Sequence, residues 1–450
     1  MNAAREIRLA ELLGALSHAL DLTEGQPAGH CVRSCWIAMQ LANELRLDET
    51  QSWELYYTLL LKDLGCSSNA ARICELYLVD DRKFKTDFKR IDGSLPQALR
   101  FVLSHTGLKS GLAERFGAII HIFQNGGEIS NELITTRCQR GADIARKMRF
   151  GENVAQGIAA LDEHWDGGGK PLQLIGQDIP LYSRIALLCQ VVDVFQMADG
   201  PEAARKEVQN RKGTWFDPEI VDAFDRISRG SLFWVSLNSS DVQELIYEFE
   251  PAQHSTLVDD DYLDDIAAGF AEVVDSKSPF TSGHSHRVTL YADLIAEDLG
   301  ISLERRRWLK RAALLHDIGK LGVSNTILDK PAKLDADEWV QMQRHAEYSE
   351  LILSRISVFA ELAPIASAHH EKLNGKGYPK GLSGDEIKLE SRILAVADIF
   401  DALTADRPYR AAMSVAKAIA IMAQEVGTAI DQACFNALLN SLHKTGLQAA

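Results

Sequence analysis

The chain has 450 residues, a formal net charge of −15, 46% hydrophobic residues and 25% charged residues. This length predicts two or three domains, and the composition is that of a globular protein. The negative charge argues against binding of a nucleic acid polymer, whose phosphates it would repel. No apolar run approaches the ~18 residues that span a bilayer, and Arg and Glu interrupt the N-terminal stretch MNAAREIRLAELLGALSHAL, unlike a signal peptide. We therefore expect a cytoplasmic protein without a membrane segment.

Both halves of the chain show the apolar period of an α-helix. In the first half Ile37, Leu41 and Leu45 recur at helical spacing. The same stripe returns in the second half at the positions Val288, Tyr291, Ile295 and Leu299. No segment reads as a run of alternating strands. The sequence predicts an all-α protein.

The chain also repeats itself. GHSHRV at 283–288 resembles GHCVRS at 29–34, and ALLHDIGKLGVSN from 313 resembles LLLKDLGCSSNA from 59. LSGDEIKLESRI at 382–393 and LIGQDIPLYSRI at 174–185 are identical at 7 of 12 positions. An internal repeat of this length predicts two copies of one structural unit.

The spacings support the repeat more strongly than the letters. His284 and His316 are 32 residues apart, as are His30 and Lys62. Further intervals of 24 and 29 residues also occur in both halves. One interval differs, so the first copy carries about 46 extra residues between 66 and 136. We expect tandem domains at 1–255 and 262–450, joined through polar and acidic stretches within 236–262.

The second copy contains five histidines and two aspartates that suit a metal centre. They are His284, His316, Asp317, His345, His369, His370 and Asp398. Imidazole and carboxylate groups are ligands for first-row metals such as Fe, Mn, Ni or Zn. Seven ligands exceed the need of one metal and predict two, about 3.5–4 Å apart, with a bridging carboxylate.

The motifs of the second copy resemble those of the HD-GYP family of metal-dependent phosphohydrolases. HDIGK at 316–320 resembles the HD signature, HHEKLNGKGYP at 369–379 resembles the second signature, and RILAVADIFDALTADRPYR at 392–410 is also similar. The resemblance covers roughly 262–440 and implies that the seven residues ligate metal, with Asp317 bridging and catalytic. It also implies that Lys320, a catalytic cation, contacts a substrate phosphate.

Further expectations follow from the resemblance. Arg407 and Arg410 would contact phosphate from the opposite wall, although surface salt bridges explain them equally well. Gly377 and Tyr378 lie in a loop that flanks the site, where glycines permit unusual backbone angles and Tyr378 is a candidate to stack on guanine. In the family this loop is linked to partner contacts, so a GGDEF-type or other signalling protein is a candidate partner. A homodimer is also compatible with the sequence.

The expected number of metals is two per chain, with Fe or Mn favoured over Ni or Zn. Family members with a third metal use a glutamate four residues before the first ligand histidine. Phe280 occupies that position, and the nearest carboxylate, Asp275, lies more than two turns from His284 if this stretch is helical. Phenylalanine has no lone pair to donate, so a third metal lacks ligands.

The first copy lacks most of the ligand set. The repeat places His30, Lys62, Asp63, Arg137, Leu161, Asp162 and Gln190 at the seven positions, and Cys66 where Lys320 stands. Lys62 and Arg137 would place cations where metals would lie, which would hold an anion, but paired core charges explain them more simply. The Gly-Tyr-Pro loop survives only as DGGGKP at 166–171. We interpret the first copy as a degenerate HD-GYP domain, regulatory or structural.

The sequence thus predicts a cyclic dinucleotide phosphodiesterase in bacterial second-messenger signalling. The main expectation is hydrolysis of cyclic di-GMP to pGpG, with GMP as the further product. One alternative is hydrolysis of 3′,3′-cyclic GMP-AMP. Another is a non-catalytic adaptor that binds nucleotide or protein, which the first copy favours and the intact second copy opposes. Hydrolysis of mononucleotides or guanosine tetraphosphate is disfavoured by the His369-His370 pair.

Overall fold

The computed structural model describes residues 8–91, 95–108, 110–250 and 258–446. Within these ranges the chain is helical and contains isolated β-bridges but no β-strand, which confirms the all-α expectation. It divides into two compact units, residues 1–262 and 263–450. The expected domain end at 255 lies in 251–257, outside the described residues.

The first unit is built from thirteen α-helices within its described residues. They are α1 (Leu9–Glu24), α2 (His30–Leu45), α3 (Glu49–Leu61), α4 (Ala70–Tyr77), α5 (Asp81–Phe88), α6 (Leu95–His105), α7 (Leu112–Lys147), α8 (Glu152–Ala159), α9 (Leu181–Asp199), α10 (Pro201–Asn210), α11 (Pro218–Ser228), α12 (Ser231–Leu237) and α13 (Val242–Glu248).

The second unit contains nine α-helices within its described residues. They are α14 (Asp260–Asp275), α15 (His284–Asp298), α16 (Leu303–Leu315), α17 (Asn325–Leu328), α18 (Ala336–Ser354), α19 (Ala363–Ser367), α20 (Leu389–Thr404), α21 (Val415–Glu425) and α22 (Gln432–Thr445). The stripe predicted from Val288 packs into the core of this unit, with Val288 and Ile295 fully buried and Tyr291 and Leu299 partly buried against them.

Local sequence explains where several of these helices begin. Asp48 and Asp335 each accept a hydrogen bond from the backbone N–H three residues on, and the side chains of Gln51 and Glu338 accept one from the backbone N–H of the cap residue. These reciprocal pairs satisfy backbone donors that the first turn leaves unpaired. Asp260 and Asp261 lie in the first turn of α14, where carboxylates interact favourably with the helix dipole.

The repeat is visible in local geometry within each unit. Gly29 and Gly283 both have positive φ, at 87° and 67°, and each precedes a helix that begins with histidine. A side chain at Gly65 would overlap the Arg137 carbonyl oxygen, and one at Gly319 would overlap that of His345. The two units therefore bring equivalent backbone segments into the same close contact.

The first unit also has a subcluster of its own, formed by α4, α5, α6 and part of α7. Its buried residues include Tyr77, Phe84, Phe101 and Ile122. These residues fall in the segment that the spacing identified as an insertion. The insertion is therefore a packed helical element, not a loop.

Within the part of the chain that the structure describes, one helix, α9 at Leu181–Asp199, is long and apolar enough to cross a membrane by length and composition alone. However, 72% of that stretch is buried inside the protein. Because core helices pass the same test of length and hydropathy, its burial identifies α9 as a core helix.

Candidate metal centre

The seven predicted ligands converge from five segments of the second unit. His284 begins α15, His316 and Asp317 directly follow α16, and His345 lies within α18. His369 and His370 form a 3-10 turn after α19, and Asp398 lies on α20. Six of the seven are buried, and His370 is half-buried.

Four histidines are fixed through one ring nitrogen and leave the other free. The Nδ1 atoms of His316, His345 and His369 face the carbonyl oxygens of the residues three positions earlier, and His284 Nδ1 faces Asp401 at 2.7 Å. These contacts set the tautomer with the proton on Nδ1.

The opposite nitrogens are buried without a hydrogen-bond partner. The Nε2 atoms of His284, His316, His345 and His369 share this state with Oδ1 of Asp317. Unsatisfied buried polar atoms are rare because each carries a desolvation cost. Five in one place fit a divalent metal centre, and the imidazole and carboxylate set suits first-row metals.

The carboxylate of Asp317 faces two groups of ligands. Its Oδ2 lies 3.3 Å from His284 Nε2 and 3.2 Å from His316 Nε2. Its Oδ1 lies 3.6 Å from His345 Nε2 and 3.8 Å from His369 Nε2. Two of the clusters with metal-binding spacing are His284-His316-Asp398 and His345-His369-His370. Asp317 lies between them, as a bridging carboxylate would.

Burial and neighbouring charges tune the protonation of the set. Burial lowers the pKa of His345 to about 4 and that of His369 to about 3, which keeps both rings neutral. Burial opposes the charge on His284, but the nearby carboxylates of Asp317, Asp401 and Asp398 raise its pKa to about 9. A metal that binds His284 must therefore displace a proton at neutral pH.

Asp401 contacts the candidate centre directly, and the sequence reasoning missed it. It is 1% exposed, contacts His284 Nδ1, and accepts bonds of 2.6 and 3.1 Å from Arg287. The first unit keeps the same arrangement in His30, Arg33 and Asp193. The signal was present in the sequence, because Asp401 lies one helical turn after Asp398 and the repeat retains it as Asp193.

The segment before His284 differs from the sequence expectation. Phe280 lies in a separate 3-10 turn, Pro279–Thr281, so it does not extend α15 by one turn. Asp275 is also not two helical turns away in space. Its carboxylate accepts hydrogen bonds from the backbone and hydroxyl of Ser285, and thereby caps the start of α15. The positive φ of Gly283 breaks the helix that the expectation assumed.

The predicted cations occupy three different environments. Lys320 forms an ion pair with Asp317 and so points into the ligand cluster. Arg410 donates to the carbonyl oxygens of Ala402, Leu403 and Ala411, and two of these belong to the last turn of α20. Arg410 therefore caps a helix end. Arg407 is half-buried in the same loop, and its backbone pairs with that of Arg410.

The loop that contains Tyr378 closes one side of the site. The Tyr378 ring lies 4.7 Å from that of His370 and 6.2 Å from that of His345. Glu371 holds the loop by accepting backbone hydrogen bonds from Lys380 and Leu382.

Gly377 is required for space, not for an unusual angle as the sequence suggested. It does not have positive φ, but an added Cβ would collide with the backbone of the segment from His370 to Lys372. Gly375, by contrast, does have positive φ, at 73°.

Trp339 is a second residue that sequence reasoning missed. It lies on α18, is 47% exposed, and its ring is 6.0 Å from that of Tyr378. The two rings form an aromatic wall next to His370. A surface tryptophan on a helix carries no motif, so only the fold reveals this proximity.

The equivalent centre of the first unit is filled by internal ion pairs. The Lys62 ammonium lies 3.0 Å from His30 Nε2 and pairs closely with Asp63. The positive charge of Lys62 overcomes the effect of burial and lowers the pKa of Asp63. Arg137 pairs with Asp162. Lys62 thus contacts both residues that retain a ligand type, which supports paired core charges over an anion site.

The insertion adds two more cations to this cluster. Lys85 and Lys89 of the α5 region lie 3.6 and 2.7 Å from the carboxylate of Glu24. Lys85 also donates to the carbonyl oxygens of Thr23 and Cys66. Buried charges at this density require mutual pairing, because the desolvation of an unpaired ion costs several kcal/mol.

Comparison with known proteins agrees with this geometry. Residues 104–220 and 270–434 match the family model described as HD domain. A 3′,3′-cGAMP-specific phosphodiesterase 3 of Vibrio cholerae serotype O1 is 53% identical over 97% of this chain and 95% of its own length. This chain belongs to the HD-GYP group of HD-domain proteins. The resemblance seen in the motifs is confirmed.

A more distant relative and a solved structure also resemble this HD-GYP protein. A cyclic di-GMP phosphodiesterase response regulator of Xanthomonas campestris pathovar campestris is 42% identical over 38% of this chain and 45% of its own length. A crystal structure of a cyclic GMP-AMP specific phosphodiesterase of V. cholerae is 48% identical, with a TM-score of 0.67 over 97% of this chain and 98% of that one. The all-α tandem fold agrees with that structure.

Proposed function

We propose that the second unit is a metal-dependent phosphodiesterase that hydrolyses 3′,3′-cyclic GMP-AMP. The observation that carries the reaction class is the position of Asp317 between two groups of buried histidines with free Nε2 atoms. The similarity to a 3′,3′-cGAMP-specific enzyme over 97% of the chain supports the substrate.

The proposed substrate differs from the one that the sequence alone favoured. Cyclic di-GMP was the main expectation, and 3′,3′-cyclic GMP-AMP was its alternative. The cyclic di-GMP phosphodiesterase from Xanthomonas covers 38% of the chain, whereas the cGAMP-specific relative covers nearly all of it. Both relatives match this chain although their names give different substrates, so similarity to the family alone does not distinguish between the two.

Two metals per chain are proposed for the centre. His284, His316 and Asp398 would hold one, and His345, His369 and His370 the other, with Asp317 shared. When bound, such ions supply Lewis acidity toward the phosphodiester and lower the pKa of water. The protein keeps His345 and His369 neutral and aims their Nε2 atoms inward, and it holds the Asp317 carboxylate at the centre.

Lys320 and Arg407 are the proposed phosphate contacts. Lys320 Nζ pairs with Asp317 Oδ2 and is therefore within reach of a phosphate oxygen at the centre. Arg407 lies in the loop between α20 and α21. In the first unit the corresponding helices, α9 and α10, are separated by Gly200 alone, so the loop that carries Arg407 is particular to the second unit. Arg410 acts through the loop by capping α20. Fixed cations stabilise charge that develops on phosphorus.

The aromatic wall of Tyr378 and Trp339 is the proposed contact for a nucleobase. The Tyr378 ring lies against that of His370, and Trp339 lies beside Tyr378 and is accessible to solvent. Stacking of a base on an aromatic side chain contributes about 1–3 kcal/mol. Because either purine can stack, this wall contributes affinity more than discrimination between guanine and adenine.

Hydrolysis assays on purified full-length protein test the proposal. We expect a kcat/KM at least ~10-fold higher for 3′,3′-cyclic GMP-AMP than for cyclic di-GMP, with metal content measured in the same samples. Equal or greater efficiency with cyclic di-GMP contradicts the substrate assignment. Lack of turnover with any cyclic dinucleotide, in protein that contains metal, contradicts the reaction class.

A further inference from the structure

An apolar stripe runs along the exposed N-terminal half of α7. Leu112, Phe116, Ile120 and Phe123 recur every three or four residues and are 85%, 66%, 38% and 46% exposed. At 100° per residue these four side chains lie on one narrow face of the helix. Leu103 at the end of α6 and Leu108 just before α7 are 50% and 61% exposed.

Hydrogen bonds place these two helix ends side by side. Arg115 of α7 donates to the carbonyl oxygens of Leu103 and Thr106, at 2.9 and 3.1 Å. The exposed leucines of α6 and its connection therefore adjoin the stripe. These six exposed residues together are called the α6–α7 patch: Leu103, Leu108, Leu112, Phe116, Ile120 and Phe123.

Further along α7 the same face is covered. Cys138 and Gly141 continue the stripe by helical periodicity and are buried. A side chain at Gly141 would collide with Ile158 of α8. Another face of α7, with Ile122 and Ile129, packs into the subcluster of the insertion. The patch therefore continues, in exposed form, a face of α7 that is buried nearer the C-terminal end of the helix. The neighbouring Gly117 and Gly127 have open space where a side chain would lie.

The area of the α6–α7 patch fits an interface. Its six side chains expose roughly 650 Å² if a fully exposed Leu or Phe offers about 190 Å². That is above the typical largest apolar patch of a monomer, about 300–600 Å², and close to the ~800 Å² per partner of a standard interface. The six side chains carry no charge, so they offer no electrostatic attraction to a charged partner.

We propose that this patch is the contact between two copies of the chain. A purely apolar stripe is complementary to its own two-fold image, and a two-fold dimer buries the same patch on both copies. Packing of α6 and α7 against their counterparts forms a four-helix arrangement, and Gly117 and Gly127 permit close approach. The first unit lacks the complete ligand set. In this proposal its inserted segment serves as a dimerisation element.

The oligomeric state of the full-length protein tests this proposal. Light scattering after gel filtration should give the mass of a dimer at micromolar concentration. The Phe116→Glu/Ile120→Glu double variant should weaken the dimer about 100-fold or more, with helical content and kcat unchanged. Leu232→Glu is the matched control, since Leu232 is 78% exposed in the first unit outside the patch, and it should remain dimeric.

A cross-linking variant decides the case if the double variant misfolds. Ile120→Cys should form a disulfide-linked dimer on oxidation, because the seven native cysteines are buried or half-buried. A monomeric wild-type protein overturns the proposal, as does a dimer that persists in the double variant. A change in kcat without a change in mass also overturns it, because it shows that the patch contacts the catalytic unit instead.

Discussion

Replacing Asp401 by asparagine tests how the metal centre is oriented. The Asp401 carboxylate faces His284 Nδ1 at 2.7 Å and accepts two bonds from Arg287 at 2.6 and 3.1 Å. Arg287 only donates, so the amide oxygen of an asparagine turns to Arg287. The amide nitrogen then faces His284, whose Nδ1 must accept a hydrogen bond.

In the neutral ring that binds metal, this exchange favours the tautomer of His284 with the proton on Nε2. That atom lies 3.3 Å from Asp317 and 3.4 Å from Asp398, where the lone pair is needed to bind metal. Loss of the partner of a ligand histidine typically lowers metal affinity or activity 10–100-fold. We expect Asp401→Asn to weaken metal binding by that factor, about 1.4–2.7 kcal/mol, and to lower kcat/KM in parallel.

Titration of metal-free protein with Mn²⁺ against a competing chelator measures the affinity. The repeat supplies a matched control in Asp193→Asn, which alters the same contact to His30 and Arg33. That variant should leave metal affinity and turnover unchanged, whatever its effect on the melting temperature. Metal affinity of Asp401→Asn within about threefold of wild type would refute the reasoning.

Three further predictions follow. Elemental analysis of the full chain should find two Fe or Mn per chain and none in the His316→Ala/Asp317→Ala double variant; three metals, or metal retained in that variant, contradicts the ligand assignment. Trp339→Ala should raise KM for the cyclic dinucleotide about 5–150-fold with little change in kcat, and Trp339→Phe should recover most of the loss, since stacking contributes about 1–3 kcal/mol; an unchanged KM argues against the aromatic wall. Despite burial, Lys89 and Lys85 lower the pKa of Glu24 to about 2, so its stabilisation is complete above about pH 4.5 and is lost as pH falls to about 2. The urea-unfolding free energy of wild type should therefore exceed that of Glu24→Gln by roughly 3 kcal/mol at neutral pH and converge with it in acid; a pH-independent difference would count against this.

The sequence alone determined the helical class, the repeat and the family. Helical periodicity depends on local spacing, and the preserved intervals from His30 to Gln190 and from His284 to Asp398 reflect a common helical framework. The motifs supplied the set of seven ligand-type residues because each lies at a defined point of a short, ordered signature. The motifs did not determine the substrate, since proteins named for different cyclic dinucleotides both match this chain.

Only the tertiary structure decided how those residues are oriented and supported. His284 and Asp401 are 117 residues apart, and the two oxygens of Asp317 face histidines from four different segments. Such contacts depend on helix packing, which spacing along the chain does not encode. The same reason explains why Arg410 proved to cap α20 and why Lys62 proved to pair with Asp63. The bare face of α7 likewise became apparent only once the fold showed which of its faces are covered.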